Sequence, residues 1–259
     1  MGPRRAWLDR VRQNGGMVHH RDLEWEGCLN VRDLGGLPTA DGGRTRLGAV
    51  VRSDHPRYLT PAGWAALWDH GIRTVVTLET DNVPASKAAE ARTSVDVRDH
   101  LPGLIQVRIG IEDGADAEFM ARWADNGLWG TPLYYADALA RWPDRHAEVV
   151  AAVAHAVPGG VLVHCGRGCD RTGIAALLLL TLAGVEPADI AADYARSAAR
   201  LAPREPEYPQ WLSATLAEHG TSITQTITAA TSCLDVVAYL RRGGLTNDEI
   251  ELARSRLVE

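Results

Sequence analysis

Lysine is nearly missing from this chain: Lys87 is the single copy, and every other residue in the Lys plus Arg total of 27 is arginine. That bias follows a GC-rich genome and marks no function of its own. Cysteine is scarce too. Four in 259 residues, with no paired spacing, exclude a disulfide framework and fit a reducing compartment in which a thiol stays a thiol. The nine histidines show no zinc-ligand spacing, since His19 and His20 adjoin in a polar arm while His155 and His219 stand singly. No metal or other cofactor is therefore expected. Long apolar runs are absent as well: the stretch 174–183 ends at Gly184 and is too short to span a bilayer. The opening Met1-Gly-Pro-Arg-Arg-Ala-Trp-Leu8 lacks the apolar core of a secretory signal. Cytoplasm is the expected location, with export by another route left open. A net charge of −6 argues against nucleic acid and against an anionic membrane as standing partners. Nothing here sets the oligomeric state.

What is present suits one large α/β domain. The chain is 46% hydrophobic, enough to bury a full core over residues 26–259 behind a loose arm at 1–25. Residues 49–52 and 74–78 read as strands with a helix at 61–70 between them, a β-α-β unit. Weaker strands are expected at 95–98 and 106–109. The segment 113–141 reads as largely helical with breaks at Gly127, Gly130 and Pro132, which suits a lid or insertion. Phe119, Trp123, Trp129, Tyr134 and Tyr135 crowd it, either as a pocket wall or as plain core. After a strand at 161–163 come helices at 172–183, 187–200, 209–219, 229–241 and 246–258, with a local break at Pro203-Arg-Glu-Pro206. Cys28 and Cys233 read as core residues. The expected fold class is α/β, a central mostly parallel sheet flanked by helices.

The most informative stretch is Val161-Leu-Val-His-Cys165-Gly-Arg-Gly-Cys-Asp-Arg171-Thr-Gly173. It sets five residues between a cysteine and an arginine, on a loop joining an apolar strand to an apolar helix. Such a loop turns backbone N–H groups inward, and the positive end of the helix dipole adds to them, making a site for a dianion. The same field favours the thiolate of a cysteine placed there. Arg171 offers a planar fork that matches two phosphate oxygens. Gly166, Gly168 and Gly173 permit tight turns and close approach of a ligand. Arg167, Cys169 and Thr172 complete the candidate phosphate-binding set. His164 is a candidate for orienting the loop through its ring nitrogens.

His164-Cys-x-x-Gly-x-Asp-Arg-Thr-Gly173 resembles the signature of cysteine-dependent protein tyrosine phosphatases. Within that family it is similar to the bacterial branch typified by mycobacterial tyrosine phosphatase B. The resemblance extends to Asn30-Val-Arg-Asp-Leu-Gly-Gly-Leu-Pro38, Val50-Val-Arg-Ser53, Leu59-Thr-Pro61, Gly71-Ile-Arg-Thr-Val-Val76, Gly184-Val185 through Asp193-Tyr194, and Tyr239-Leu-Arg to Leu245-Thr246. It covers nearly the whole chain after about the first twenty-five residues. It implies a tyrosine-phosphatase-like fold and the loop aspartate, Asp170, as general acid. Two positions depart from the branch. Cys169 stands where a lysine or arginine is usual, a residue associated there with phosphoinositide activity, and Arg167 is the candidate to restore that charge. Glu79 stands where arginine is usual and would alter the rim.

The chemistry expected of these residues is attack by Cys165 on phosphorus, with Arg171 and the loop amides holding the equatorial oxygens, then hydrolysis of the phosphocysteine. Thr172 can donate a hydrogen bond to the departing sulfur. Trp142-Pro143-Asp144 spells a mobile-loop acid motif of larger tyrosine phosphatases. It lies only 21 residues before Cys165, and the preferred reading is the start of a helix at 145–156. Cys169 either fills space or traps an oxidised Cys165. Three functions stay open: a phosphatase acting on phosphotyrosine proteins, with dual specificity left open; a phosphatase of small metabolites; and a phosphate-binding pseudoenzyme or sulfur-transfer protein.

Overall fold

A computed structural model of the chain describes residues 21–83 and 95–259. Its strands are Arg32–Asp33 (β1), Val50–Ser53 (β2), Ile72–Asp81 (β3), Ile105–Asp113 (β4) and Gly160–His164 (β5). They form one sheet in the order β1-β2-β5-β3-β4, antiparallel at β1 and parallel elsewhere. The β-α-β unit is therefore present with a gap: β2 and β3 are parallel, but β5 enters between them. A strand covered on both faces can be apolar throughout, as Val161-Leu-Val is, and β5 is buried along its whole length.

Side chains alternate across the pleat. Val50, Val76, Val161 and Val163 face the larger core, while Val51, Val75 and Leu162 face the smaller one. The smaller core is closed by Pro61–Asp69 (α1), whose Trp64 and Leu67 are buried against the sheet. Thr60 caps that helix by accepting from Gly63 N at 3.2 Å.

The opposite face carries Ala117–Phe119 (α2), Tyr135–Arg141 (α3), Pro143–Ala154 (α4), Asp170–Leu182 (α5), Pro187–Leu201 (α6), Tyr208–Glu218 (α7), Ile223–Ser232 (α8), Val236–Arg242 (α9) and Asn247–Leu257 (α10). The tight strand-to-helix connection drives α5 directly behind the sheet, so it is buried nearly all round. Among the described residues no helix is long and apolar enough to cross a membrane.

Several expectations change. Residues 95–98 do not form a strand: Val97–Asp99 is a 3-10 turn, because the Asp96 carboxylate accepts from Arg98 N at 3.0 Å and stabilises a local bend. The helix expected at 229–241 is two helices, α8 and α9. Asp235 caps the second by accepting from Ala238 N at 2.9 Å, and Cys233 at the break is exposed rather than core. Cys28 is buried. The arm expected at 1–25 lies partly outside the described residues. Its last five are packed: Trp25 is buried and Arg21 reaches Asp193.

In the 113–141 segment β4 runs to Asp113. Phe119, Trp123, Tyr134 and Tyr135 are buried in the larger core, whereas Trp129 is half-buried at its margin.

Candidate active site

The loop between β5 and α5 is shaped by what holds its carbonyls. His55 N donates to Gly166 O at 3.0 Å. Asn30 Nδ2 donates to Arg167 O at 3.1 Å and to Gly168 O at 3.0 Å. Arg52 Nη2 donates to Gly168 O at 2.7 Å and to Cys169 O at 3.2 Å. Tyr135 Oη donates to Asp170 O at 2.7 Å. With successive carbonyls committed to outer partners, the intervening N–H groups are left to face the cup, the geometry of an anion nest. Gly168 sits at φ +66°, and a Cβ there would lie 2.1 Å from Ser53 O; only glycine meets both conditions. A Cβ on Gly173 would meet Tyr135 Oη at 2.1 Å, so this glycine lets Tyr135 reach the loop.

Those outer partners belong to a buried ion cluster. Arg32 and Arg52 are almost wholly buried, and Asp193 pairs with Arg32 Nε at 3.0 Å and with Arg52 Nη1 at 2.8 Å. Asp193 opposes its own burial through Arg32, Arg52 and Arg21, which hold its carboxyl far below the usual carboxylate range. One aspartate answers three arginines, leaving net positive charge behind the loop. Sequence reading assigned no role to this cluster, although arginines inside the apolar runs of β1 and β2 signal it: a buried guanidinium needs partners.

Cys165 is buried at the start of the loop. Arg171, on the first turn of α5, curls back so that its Nη2 lies 4.0 Å from where a Gly166 Cβ would stand, and its Nη1 donates to Leu78 O at 3.2 Å. Burial acts to lower the Arg171 pKa, but the acidic groups of Cys165, Glu112, Tyr134 and Asp170 outweigh it, and the net shift is upward. The guanidinium thus folds back beside Gly166, the residue that follows Cys165. His164 is fixed on the sheet side: its Nδ1 lies 3.1 Å from Cys165 O, and its Nε2 lies 2.9 Å from Thr77 Oγ1. Since a carbonyl only accepts, Nδ1 carries the hydrogen, and Nε2 accepts from Thr77, which accepts in turn from Gln106 Nε2 at 3.1 Å. Burial pushes His164 down to about 3, so it is neutral.

Asp170 opens α5 half-buried, with Oδ1 accepting from Tyr194 Oη at 3.1 Å. Burial raises its pKa against the pull of Arg167, Tyr194 and Arg171, the direction an acid needs to hold a proton. Thr172 Oγ1 is buried without a protein partner among the described residues. Two loop side chains leave the cup. Cys169 Sγ lies 3.3 Å from Tyr208 Oη, and burial pushes its thiol up to about 12. Arg167 Nε contacts both Glu205 oxygens, at 3.1 and 2.8 Å, so its charge is answered outside the phosphate cup. Asp144 lies in the first turn of α4 behind Pro143, as its helix-start reading anticipates.

Glu112 escaped sequence reading. It is wholly buried near the end of β4, where its Oε2 accepts from Thr80 Oγ1 at 3.1 Å and Trp129 Nε1 at 3.0 Å. Burial raises its pKa, and Arg171 is the first charge opposing that shift. The Ile-Glu-Asp run at 111–113 gave no signal that this carboxyl is buried.

The tyrosine phosphatase family model matches residues 23–259. The chain belongs to the tyrosine phosphatase family. A Cupriavidus necator protein named a putative tyrosine-protein phosphatase is 33% identical over 180 residues, which cover 68% of this chain and 63% of that one. The chain thus spans just under two thirds of that relative. The triple specificity protein phosphatase PtpB of Mycobacterium tuberculosis is 29% identical over 67% of this chain and 68% of its own length. A tyrosine-protein phosphatase of Nostoc commune is 45% identical over 64 residues, 25% of this chain and 22% of that one.

Proposed function

We propose that this chain hydrolyses phosphate monoesters, phosphotyrosine in proteins foremost, through a phosphocysteine on Cys165. The observation that carries this reading is the cup itself: outward-tied carbonyls on residues 166–170 directly after the buried Cys165, with Arg171 folded back beside Gly166.

In the first step the Cys165 sulfur attacks phosphorus, and an S–P bond forms as the bond to the tyrosyl oxygen breaks. Arg171 and the loop N–H groups hold the equatorial oxygens. Asp170 gives its proton to the departing oxygen. In the second step water attacks phosphorus, Asp170 takes the water's proton, and the S–P bond breaks with inorganic phosphate leaving. Thr172 Oγ1 donates to the released sulfur. His164 and the Arg52–Asp193 cluster hold the loop in place.

Protein phosphotyrosine is favoured over phosphoinositide because Cys169 brings no charge to the cup and Arg167 is neutralised by Glu205. The chemistry requires a reduced Cys165, which fits action in a reducing compartment such as the cytoplasm. Initial rates with EDTA and reductant across phosphotyrosine and phosphoserine peptides, phosphoinositides, nucleotides and sugar phosphates test this reading. Preference for phosphotyrosine peptides supports it; preference for one small metabolite replaces it with a metabolic phosphatase of the same chemistry.

A further inference from the structure

Beside the phosphate loop lies a cavity of about 580 Å³ whose walls include Trp129, Arg167, Glu205, Glu207, Tyr208 and Trp211. That volume is within the range of small-ligand pockets, roughly 300–1,000 Å³. Neither Cys165 nor Arg171 lines it. Its link to the cup is Arg167, two residues after the nucleophile, a reach of at most about 7 Å along the chain.

Three aromatic rings shape the cavity. Tyr208 and Trp211 stack with centroids 5.7 Å apart at 26°, and Trp129 is held by its indole N–H on Glu112. Trp211 is 39% exposed, an unusual place to leave a tryptophan. The break Pro203-Arg-Glu-Pro206 positions the acidic walls just before α7. Glu205 is occupied by Arg167, whose guanidinium also lies 4.9 Å from the Tyr208 centroid. Glu207 makes no cap hydrogen bond and, among the described residues, has no ion-pair partner. The charged lining is therefore one arginine answered by one glutamate, plus one unanswered carboxylate beside aromatic faces. Ring faces attract cations, and the unanswered carboxylate adds to that pull.

We propose that this cavity is a specificity subsite that takes an arginine or lysine side chain flanking the phosphorylated residue of a peptide substrate. The proposal rests on the phosphopeptide reading above. The exposed Trp211 face takes the aliphatic stem, and Glu207 pairs with the cation at the mouth.

The test is calorimetric titration of the Cys165→Ser protein with phosphotyrosine peptides carrying Arg, Lys, Ala, Leu or Glu at each of the three positions on either side. Arg and Lys at one position should tighten binding about tenfold over Ala, with Glu the weakest. That ratio, taken within each variant, should shrink to within about twofold in Cys165→Ser combined with Trp211→Ala or with Glu207→Gln. Equal binding by all peptides, preference for Leu or Glu, a preference that survives both substitutions, or no binding by any peptide overturns the proposal. Turnover of p-nitrophenyl phosphate by the unaltered protein reads the phosphatase assignment separately: activity there without flank preference sinks the subsite and leaves the phosphatase standing.

Discussion

Asp170 and Glu112 are both carboxyls that burial pushes toward the protonated form, yet their surroundings give them different work. Asp170 opens α5 with one oxygen on Tyr194, and in the proposed mechanism its proton goes to the leaving oxygen. Asp170→Asn is expected to slow alkyl phosphates by about 10²–10⁴-fold, the scale of general-acid catalysis, while phosphates of acidic phenols lose far less because their leaving groups need no proton. The wild-type rate on alkyl phosphates should fall as pH rises through the Asp170 pKa. Burial raises that pKa, so the fall comes at higher pH than for an exposed carboxyl, and Asp170→Asn should abolish this limb. Glu112 is held by Thr80 and Trp129 instead, and its charge acts on Arg171. Glu112→Gln should weaken phosphate binding and reduce kcat/KM for good and poor leaving groups alike. A loss confined to poor leaving groups would make Glu112 the acid and relieve Asp170 of that role.

The loop and its two supporting strands are the element on which the account turns. Gly168→Ala forces a side chain into left-handed backbone and against Ser53 O at 2.1 Å. It should cost at least about 1–3 kcal/mol, the scale of strained backbone, read as a lowered urea midpoint together with weakened phosphate binding. The strand-loop-helix unit was legible in sequence because Cys165, Arg171 and the glycines have fixed spacing between two apolar runs. Asn30 and Arg52 stand in segments that resemble the family, but nothing local says that a side chain on β2 reaches a carbonyl more than a hundred residues later. Their meaning depends on β5 entering between β2 and β3, a long-range pairing that periodicity does not encode. The expected strand at 95–98 failed for the opposite reason: β-branched Val95 and Val97 favour extension, but the Asp96 side chain wins locally by capping a turn.

Across the whole molecule, stability and function meet in buried charge. Asp193→Asn removes the carboxylate that answers Arg32, Arg52 and Arg21. Leaving two buried guanidiniums unpaired should cost about 3–5 kcal/mol of unfolding free energy. Acid acts through a separate group. Burial pushes His146 and His164 down from 6.5 to about 3, so the unfolded chain takes up protons that the folded chain refuses. The stability these neutral rings allow is fully present above pH 6.5 and is lost as pH falls from there toward 3. His146→Gln, which keeps a polar group opposite Tyr239 but does not titrate, should make that acid limb shallower in unfolding titrations between pH 4 and 7. The central claim, a covalent phosphocysteine, is read most directly from the intact-protein mass after rapid acid quench during turnover of p-nitrophenyl phosphate. The expected result is a species heavier by one phosphoryl group, localised to Cys165 by peptide mapping and absent in Cys165→Ser, which should have no turnover. Steady hydrolysis with no such adduct, or sustained by Cys165→Ser, would contradict it.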